Sequence, residues 1–249
     1  MVMSEDKSIT KRMGDNLAWL LSKKILQVYP KFNSRSYIDE IRKQCSNLRF
    51  SERVELHADA LRSYLPKDYK KSLEILIQIM GEENPNETGM FKEYYWLLPV
   101  GKFIEKYGLD NFSDSITAIE ELTKRSTGEY AIRPFIKKDS KRTIKIMKKW
   151  AQSKNFHLRR LASEGLRPKL PWATKLETFI EDPLPVFEIL ELLKEDKVKF
   201  VKKSVANNLA DYLKVNKAPT VRLINQWKRS KNIDTIWIIK HATRKVKAD

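Results

Sequence analysis

Two glutamates stand four residues from an arginine in strongly basic stretches: Glu129 precedes Arg133, and Glu164 follows Arg160. On a helix a residue four positions away lies on the same face, so each acid would share its face with a cation. A third acid, Asp211, follows Asn207 at the same interval. From spacing alone each acid has two readings. It is an ordinary surface ion pair, or a carboxylate kept ionised where it can stabilise positive charge or orient a water. Trp172 lies in Arg167-Pro-Lys-Leu-Pro-Trp-Ala173, where two prolines stiffen a loop. A rigidly held indole can receive a cation or stack on a flat group; it can also close a core between helices.

Other chemistries find little support. His57, His157 and His241 are far apart, and no HExxH occurs, so no metal is expected. The one cysteine, Cys45, excludes an intramolecular disulfide; beside Ile41 and Leu48 it reads as a small core residue. Seven scattered glycines disfavour phosphate-cradling loops and hairpin-rich folds. No apolar run approaches the ~18 residues of a membrane span, and the start, MVMSEDKSITKRMGDN, is too polar for a signal peptide. A soluble, cytoplasmic protein is expected. Lys and Arg total 49 against 32 Asp and Glu, a net charge of +17. A surplus of that size points to a polyphosphate backbone or an anionic membrane surface, or else to a solubilising surface.

The elements that would position these residues are helices. Apolar residues recur at helical spacing in Leu73, Leu76, Ile77 and Met80; in Ile116, Ile119 and Leu122; in Ile144, Met147 and Ala151; and in Phe187, Leu190 and Leu193. Prolines mostly fall between the stripes; Pro99 is expected to end a helix after Leu98, and Pro134 to kink one. In the first half, 15–30, 36–65 and 67–82 read as helices, and the aromatic-rich 91–108 reads as core. No strand is predicted.

The second half carries a weak repeat. The segment from His157 to Leu166 aligns without gaps on Phe200 to Leu209, 43 residues later, and Ala206 aligns on Ala242 after 36 more. Each copy follows another amphipathic helix, at 141–152, 184–194 and 219–229. Helix pairs at this interval are the mark of HEAT-like repeats, which bury their apolar faces only by stacking. The expected fold is therefore all-α, a HEAT-like superhelical solenoid with a basic concave face. A segment 1–14 is expected to be flexible, with one domain over 15–249. Second helices carrying Arg133, Arg159, Arg160, Lys203 and Arg244 would put a cation on every step of one face, suiting the phosphates of a duplex. Trp150 and Trp227, at the ends of first helices, read as packing residues, and His157 as a backbone contact or a helix cap.

Four segments then carry a resemblance. Residues 122–136 (LTKRSTGEYAIRPFI), 150–173 (WAQSKNFHLRRLASEGLRPKLPWA), 201–211 (VKKSVANNLAD) and, more weakly, 237–244 (WIIKHATR) resemble signature segments of the AlkC family of DNA alkylation repair proteins. The likeness covers most of 15–245 in order and spacing.

The resemblance implies a monomeric, cofactor-free DNA glycosylase. It would act on double-stranded DNA and release cationic bases, 3-methylcytosine and 3-methyladenine, to leave an abasic site. It also implies that Glu129, Glu164 and Asp211 are the catalytic acids and that Trp172 contacts the lesion. Arg133, Arg159, Arg160, Arg167, Lys169, Lys203, Asn207, Asn208 and Arg244 are then the expected DNA contacts. Some AlkC relatives carry a C-terminal immunoglobulin-like domain that is not expected here, which bears on lesion preference. The chemistry is consistent: an N3-alkylated base is already cationic, so its departure needs no protonation. The sugar left behind resembles an oxocarbenium ion, which negative charge stabilises. The rivals are a HEAT-like protein scaffold and a noncatalytic nucleic-acid binder.

Overall fold

The computed structural model describes residues 9–89 and 91–245. Among them the chain forms only helices and connecting turns. In order these are α1 (Ile9–Arg12), α2 (Asp15–Val28), α3 (Ser34–Gln44), α4 (Phe50–Tyr64), α5 (Tyr69–Gln78), α6 (Phe91–Tyr94), α7 (Leu98–Tyr107) and α8 (Phe112–Arg125). There follow α9 (Arg133–Lys138), α10 (Ser140–Ala151), α11 (Phe156–Glu164), α12 (Glu177–Glu181), α13 (Leu184–Leu193), α14 (Lys199–Val215), α15 (Lys217–Trp227) and α16 (Ile233–Thr243). Among the described residues no helix is long and apolar enough to cross a membrane.

The starts of several helices follow from their cap residues. Asn33, Asp68, Asp139, Asn155 and Asn232 each accept a hydrogen bond from a backbone N–H in the first turn of the helix that follows. Such caps satisfy donors that have no partner within the helix. The cap before α11 is thus Asn155, and His157 is instead buried, at 1% exposure.

Four expectations change. The stretch 36–65 is two helices, α3 and α4, because Cys45 to Leu48 turn between them. Cys45 is a half-buried cap of α3 and not a core residue. Pro99 and Pro134 neither end nor kink a helix: each lies in the first turn of one, α7 and α9, where its missing N–H costs nothing. Of the segment expected to be flexible, 1–8 lies outside the described residues, whereas Ile9–Arg12 is helical and Met13 is fully buried.

The helices group into two compact units, one of residues up to 84 together with 91–126, the other of 85–89 with 127 onward. In the first, α2 packs on α3, α3 on α4, α4 on α7, and α5 and α7 on α8. Trp96, Leu97, Phe103 and Ile104 from the aromatic stretch are buried there, as expected.

In the second unit the predicted pairs are present: α10 with α11, α13 with α14, and α15 with α16. The second helices pack on one another, α11 on α14 and α14 on α16. Met147, Leu161, Val205, Leu209 and Ile238 are fully buried between them, each worth about 1.5–3 kcal/mol of transfer free energy. Trp150 and Trp227 are buried at 3%, as packing residues should be. Gly165 closes α11 where a Cβ would meet Ile132 at 2.9 Å and Met147 at 3.0 Å, so glycine allows the close approach.

Candidate active site

The three acids singled out by sequence converge in the second unit, though not by the pairings expected. Glu129 is not on a helix; it lies in the turn between α8 and α9 and does not share a helical face with Arg133. Its Oε2 instead accepts from the Thr127 hydroxyl at 2.8 Å and from Nη1 of Arg160, on α11. Arg160 also donates to Thr127 Oγ1 at 3.1 Å, and its Nη2 lies 3.5 Å from Glu164 Oε1, the predicted one-turn pair. Glu164 Oε1 further accepts from Arg167 Nη1 at 2.7 Å, while Oε2 accepts from the Ser204 hydroxyl at 2.6 Å. Arg167 Nε completes the line with a 2.8 Å bond to Asp211 Oδ2 on α14. The result is a chain of alternating charge: Glu129, Arg160, Glu164, Arg167, Asp211.

Burial makes this more than a surface network. The side chains are between 7% and 15% exposed, so solvent screens them poorly. Burial by itself would raise the Glu164 carboxyl. The charges of Arg160 and then Arg167, with the Ser204 hydroxyl, overcome that and hold it below the ordinary 4.5. In the same way burial would lower both arginines, and their carboxylate partners raise them instead. Tyr130, beside Glu129, is pushed up to about 12 by burial first and by the Glu129 charge second. At neutral pH Glu164 is therefore ionised and the phenol is neutral. Arg160 also lies 4.8 Å over the Phe200 ring, which walls one side of its guanidinium. Among the described residues no group of three His, Cys, Asp or Glu side chains is arranged to hold a metal ion.

Trp172 is 90% exposed, which removes the reading of a core-closing residue. It is also the one non-glycine residue with positive φ among the described residues, at +62°. The Ala173 amide donates to the Leu170 carbonyl at 3.2 Å, closing a turn with Pro171 second and Trp172 third. Proline cannot take positive φ, so this is a type II turn, whose third position glycine usually fills. An indole there costs about 1–2 kcal/mol of backbone strain.

The expected DNA contacts divide. Arg133 is 3% exposed and donates to the carbonyls of Gly165, Arg167 and Thr174 at 3.1, 2.9 and 2.5 Å, so it is not placed to clamp a phosphate. Arg159 is bound by Asp196 and by the carbonyls of Ser153 and Lys154. One repeat later Lys202 binds Asp234 at 2.6 Å in the matching position, so that part of the basic ladder joins successive repeats. Arg160 and Arg167 serve the acids. Asn208 is fully buried and donates to the Ser163 carbonyl at 2.7 Å, tying α14 to the last turn of α11. Lys169, Lys203 and Arg244 are exposed. Arg244 reaches the half-buried Asn207 at 3.5 Å. Nearby His241 is lowered by burial first, then by Arg244 and Lys203, so positive charge gathers there.

Sequence reasoning missed Thr127, Tyr130 and Ser204. Their signal was weak: Ser204 is 40 residues from the acid it serves, and hydroxyl partners follow no helical interval.

Comparison with known proteins adds three findings. Residues 123–246, which hold every acid and arginine of the chain of charges, match the DNA alkylation repair enzyme family. The chain is 38% identical over 217 residues to the uncharacterized protein YhaZ of Bacillus subtilis, covering 87% of this chain and 58% of that protein. It is similar to the structure of the Pseudomonas fluorescens alkylpurine DNA glycosylase AlkC bound to DNA containing an abasic site analog. That similarity has a TM-score of 0.85 and 30% identity, over 95% of this chain and 64% of that one. The chain thus spans about three-fifths of the length of these relatives.

Proposed function

The chain belongs to the DNA alkylation repair enzyme family, and from that premise we propose that it is a DNA glycosylase acting on cationic alkylated bases in duplex DNA. The observation that carries the proposal is the buried line of Glu129, Glu164 and Asp211 paired with Arg160 and Arg167, with Arg167 beginning the loop that carries the exposed, strained Trp172. A protein scaffold needs neither buried acids of this kind nor a tryptophan presented at the cost of backbone strain.

In the proposed reaction, Lys169, Lys203 and Arg244 contact phosphates, supported by their exposure. Trp172 meets the lesion, and its ring face favours a cationic base over a neutral one. The glycosidic bond breaks with its electron pair leaving on the alkylated base, which departs neutral. The deoxyribose passes through an oxocarbenium-like state facing the carboxylates. Among the described residues Glu129 Oε1 and Asp211 Oδ1 take no hydrogen bond, so each can accept one from the attacking water. The water adds at the sugar and gives up a proton, through the accepting carboxylate to solvent, which yields an abasic site. Activity as a monomer in the cytoplasm, without a metal or cofactor, belongs to the same proposal. Substrates proposed are 3-methyladenine and 3-methylcytosine.

The test is single-turnover excision from duplexes carrying 3-methyladenine, 3-methylcytosine or 7-methylguanine, read as alkali-labile strand cleavage. Release of the first two at rates well above spontaneous loss is expected. Tight duplex binding without any abasic product would overturn the enzymatic reading and leave a passive binder.

A further inference from the structure

Arg133 is an unusual use of charge. Its guanidinium is buried and donates to three carbonyls; among the described residues no carboxylate pairs with it directly, though the Glu129 charge acts on it. Burial first, and the neighbouring Arg167 second, pull it down to about 10, still charged at neutral pH. A buried cation without a counter-ion is costly unless carbonyl dipoles replace its water. The three carbonyls are not scattered. Gly165 and Arg167 begin the loop between α11 and α12, and Thr174 lies just past its tip, which carries Trp172. One turn along α9 from Arg133, Lys137 donates to the Thr174 hydroxyl at 2.6 Å. Both ends of the loop are thus tied to one face of a single short helix.

We propose that Arg133 and Lys137 are positioning residues, a two-point clamp that fixes the Trp172 turn in its strained form and sets the Arg167 backbone from which Glu164 and Asp211 are held. The inference rests on the reading of Trp172 as the lesion contact for its consequence in catalysis, but the clamp itself can be observed without any reaction. A strained turn relaxes unless its surroundings over-determine it. The Pro171 ring supplies one constraint and the clamp supplies the other. Arg133 is therefore removed from the set of phosphate contacts and placed behind the turn, with its planar fork matched to several carbonyls at once. Lysine's three donors radiate from one nitrogen and cannot reproduce that fork.

The experiment uses the full chain labelled with 5-fluorotryptophan, in which the Trp172 fluorine resonance is assigned by its loss in Trp172→Phe. Arg133→Lys, Lys137→Met and Thr174→Val are compared with the unsubstituted protein. Expected is a shift or broadening of the Trp172 resonance in each variant, largest in Arg133→Lys, while those of buried Trp150 and Trp227 stay in place. Excision of 3-methyladenine by Arg133→Lys should lose about tenfold or more in kcat with little change in KM, as misplacement of a positioned group does. A Trp172 resonance unmoved in all folded variants overturns the clamp, as does a raised KM with unchanged kcat. Should Arg133→Lys fail to fold, Lys137→Met and Thr174→Val, both at the loop's outer tie, decide the question by the same resonance. Full excision by Trp172→Phe and Trp172→Ala would instead defeat the reading of Trp172 as the lesion contact, and leave the spectroscopic result on the clamp intact.

Discussion

Replacing Glu164 by glutamine isolates charge from shape. In the structure Oε1 accepts from Arg167 at 2.7 Å and Oε2 from the Ser204 hydroxyl at 2.6 Å. A glutamine can keep its oxygen towards Arg167 and donate from its amide to Ser204, whose hydroxyl turns to accept. Hydrogen-bond geometry then survives and one negative charge disappears. A carboxylate about 5 Å from the developing sugar cation, at an effective dielectric of about 20, stabilises it by roughly 3 kcal/mol. That corresponds to about 10² in the rate constant, within the ~10²–10³ typical of a preorganised electrostatic group. Stability should fall by about 1–3 kcal/mol and not collapse, because Arg160 keeps Glu129 and Arg167 keeps Asp211. The assay is single-turnover release of 3-methyladenine at saturating enzyme, with duplex affinity followed separately by fluorescence anisotropy. A folded Glu164→Gln protein that excises within about threefold of the unsubstituted rate would remove the buried acids from the mechanism.

Further expectations concern strain, pH and salt. Trp172→Gly should raise thermal stability, since glycine adopts positive φ freely and about 1 kcal/mol of strain is relieved; it should also lower excision of cationic bases by at least tenfold, and a variant less stable than the parent would contradict the turn assignment. Glu164, held below 4.5, contributes stability that is present above that value and lost as pH falls through its lower folded value. Urea unfolding in Glu164→Gln should therefore lose part of the parent's stability decline below pH 4.5, and excision by the parent should stay level through mildly acid pH. Replacing both Lys169 and Lys203 by alanine should reduce the slope of log affinity against log salt by about 2, whereas Arg159→Ala, which breaks an internal pair, should lower the melting temperature and leave the slope unchanged.

The helix pairs of the second unit were legible because their evidence is periodic. Apolar residues return every three or four positions, and the segments from His157 and Phe200 align without a gap. The acids stood out for a different reason: their interval from a cation inside basic stretches left two readings open, and the resemblance to the AlkC family pointed to the catalytic one. Their partners were not legible. A one-turn interval correctly paired Arg160 with Glu164, but the same rule misassigned Glu129, which sits in a turn and reaches across 31 residues to Arg160. Basic residues at repeat spacing suggested a row of phosphate contacts, yet Arg159 with Asp196 and Lys202 with Asp234 use that spacing to join repeats. Sequence fixes which residues share a helix, whereas ion pairing between helices depends on the stacking offset. The strain at Trp172 was half visible in Pro171 before it, and the type II turn emerged only with the Ala173 to Leu170 bond.

Under the proposed function, arginines lining a site for a cationic lesion look misplaced until the timing of charge is considered. Three bare carboxylates along one buried line would repel one another. Arg160 and Arg167 offset that by standing between the acids: Arg160 is backed by Phe200, and both guanidinia are fixed by two acids each. The lesion base carries its positive charge before reaction and loses it on leaving, while the sugar becomes positive only as the bond breaks. In the proposed reaction, acids held by fixed arginines meet the second event without reorganising, which is where electrostatic catalysis gains over water. The expected consequence is that only one of the two kinds of variant depends on the leaving group. Glu129→Gln, Glu164→Gln and Asp211→Asn should slow all substrates by similar factors, because each senses the sugar. Trp172→Ala should slow cationic bases selectively. If the acid variants discriminated between bases and the tryptophan variant did not, the division of roles between the charged chain and the strained turn would have to be reversed.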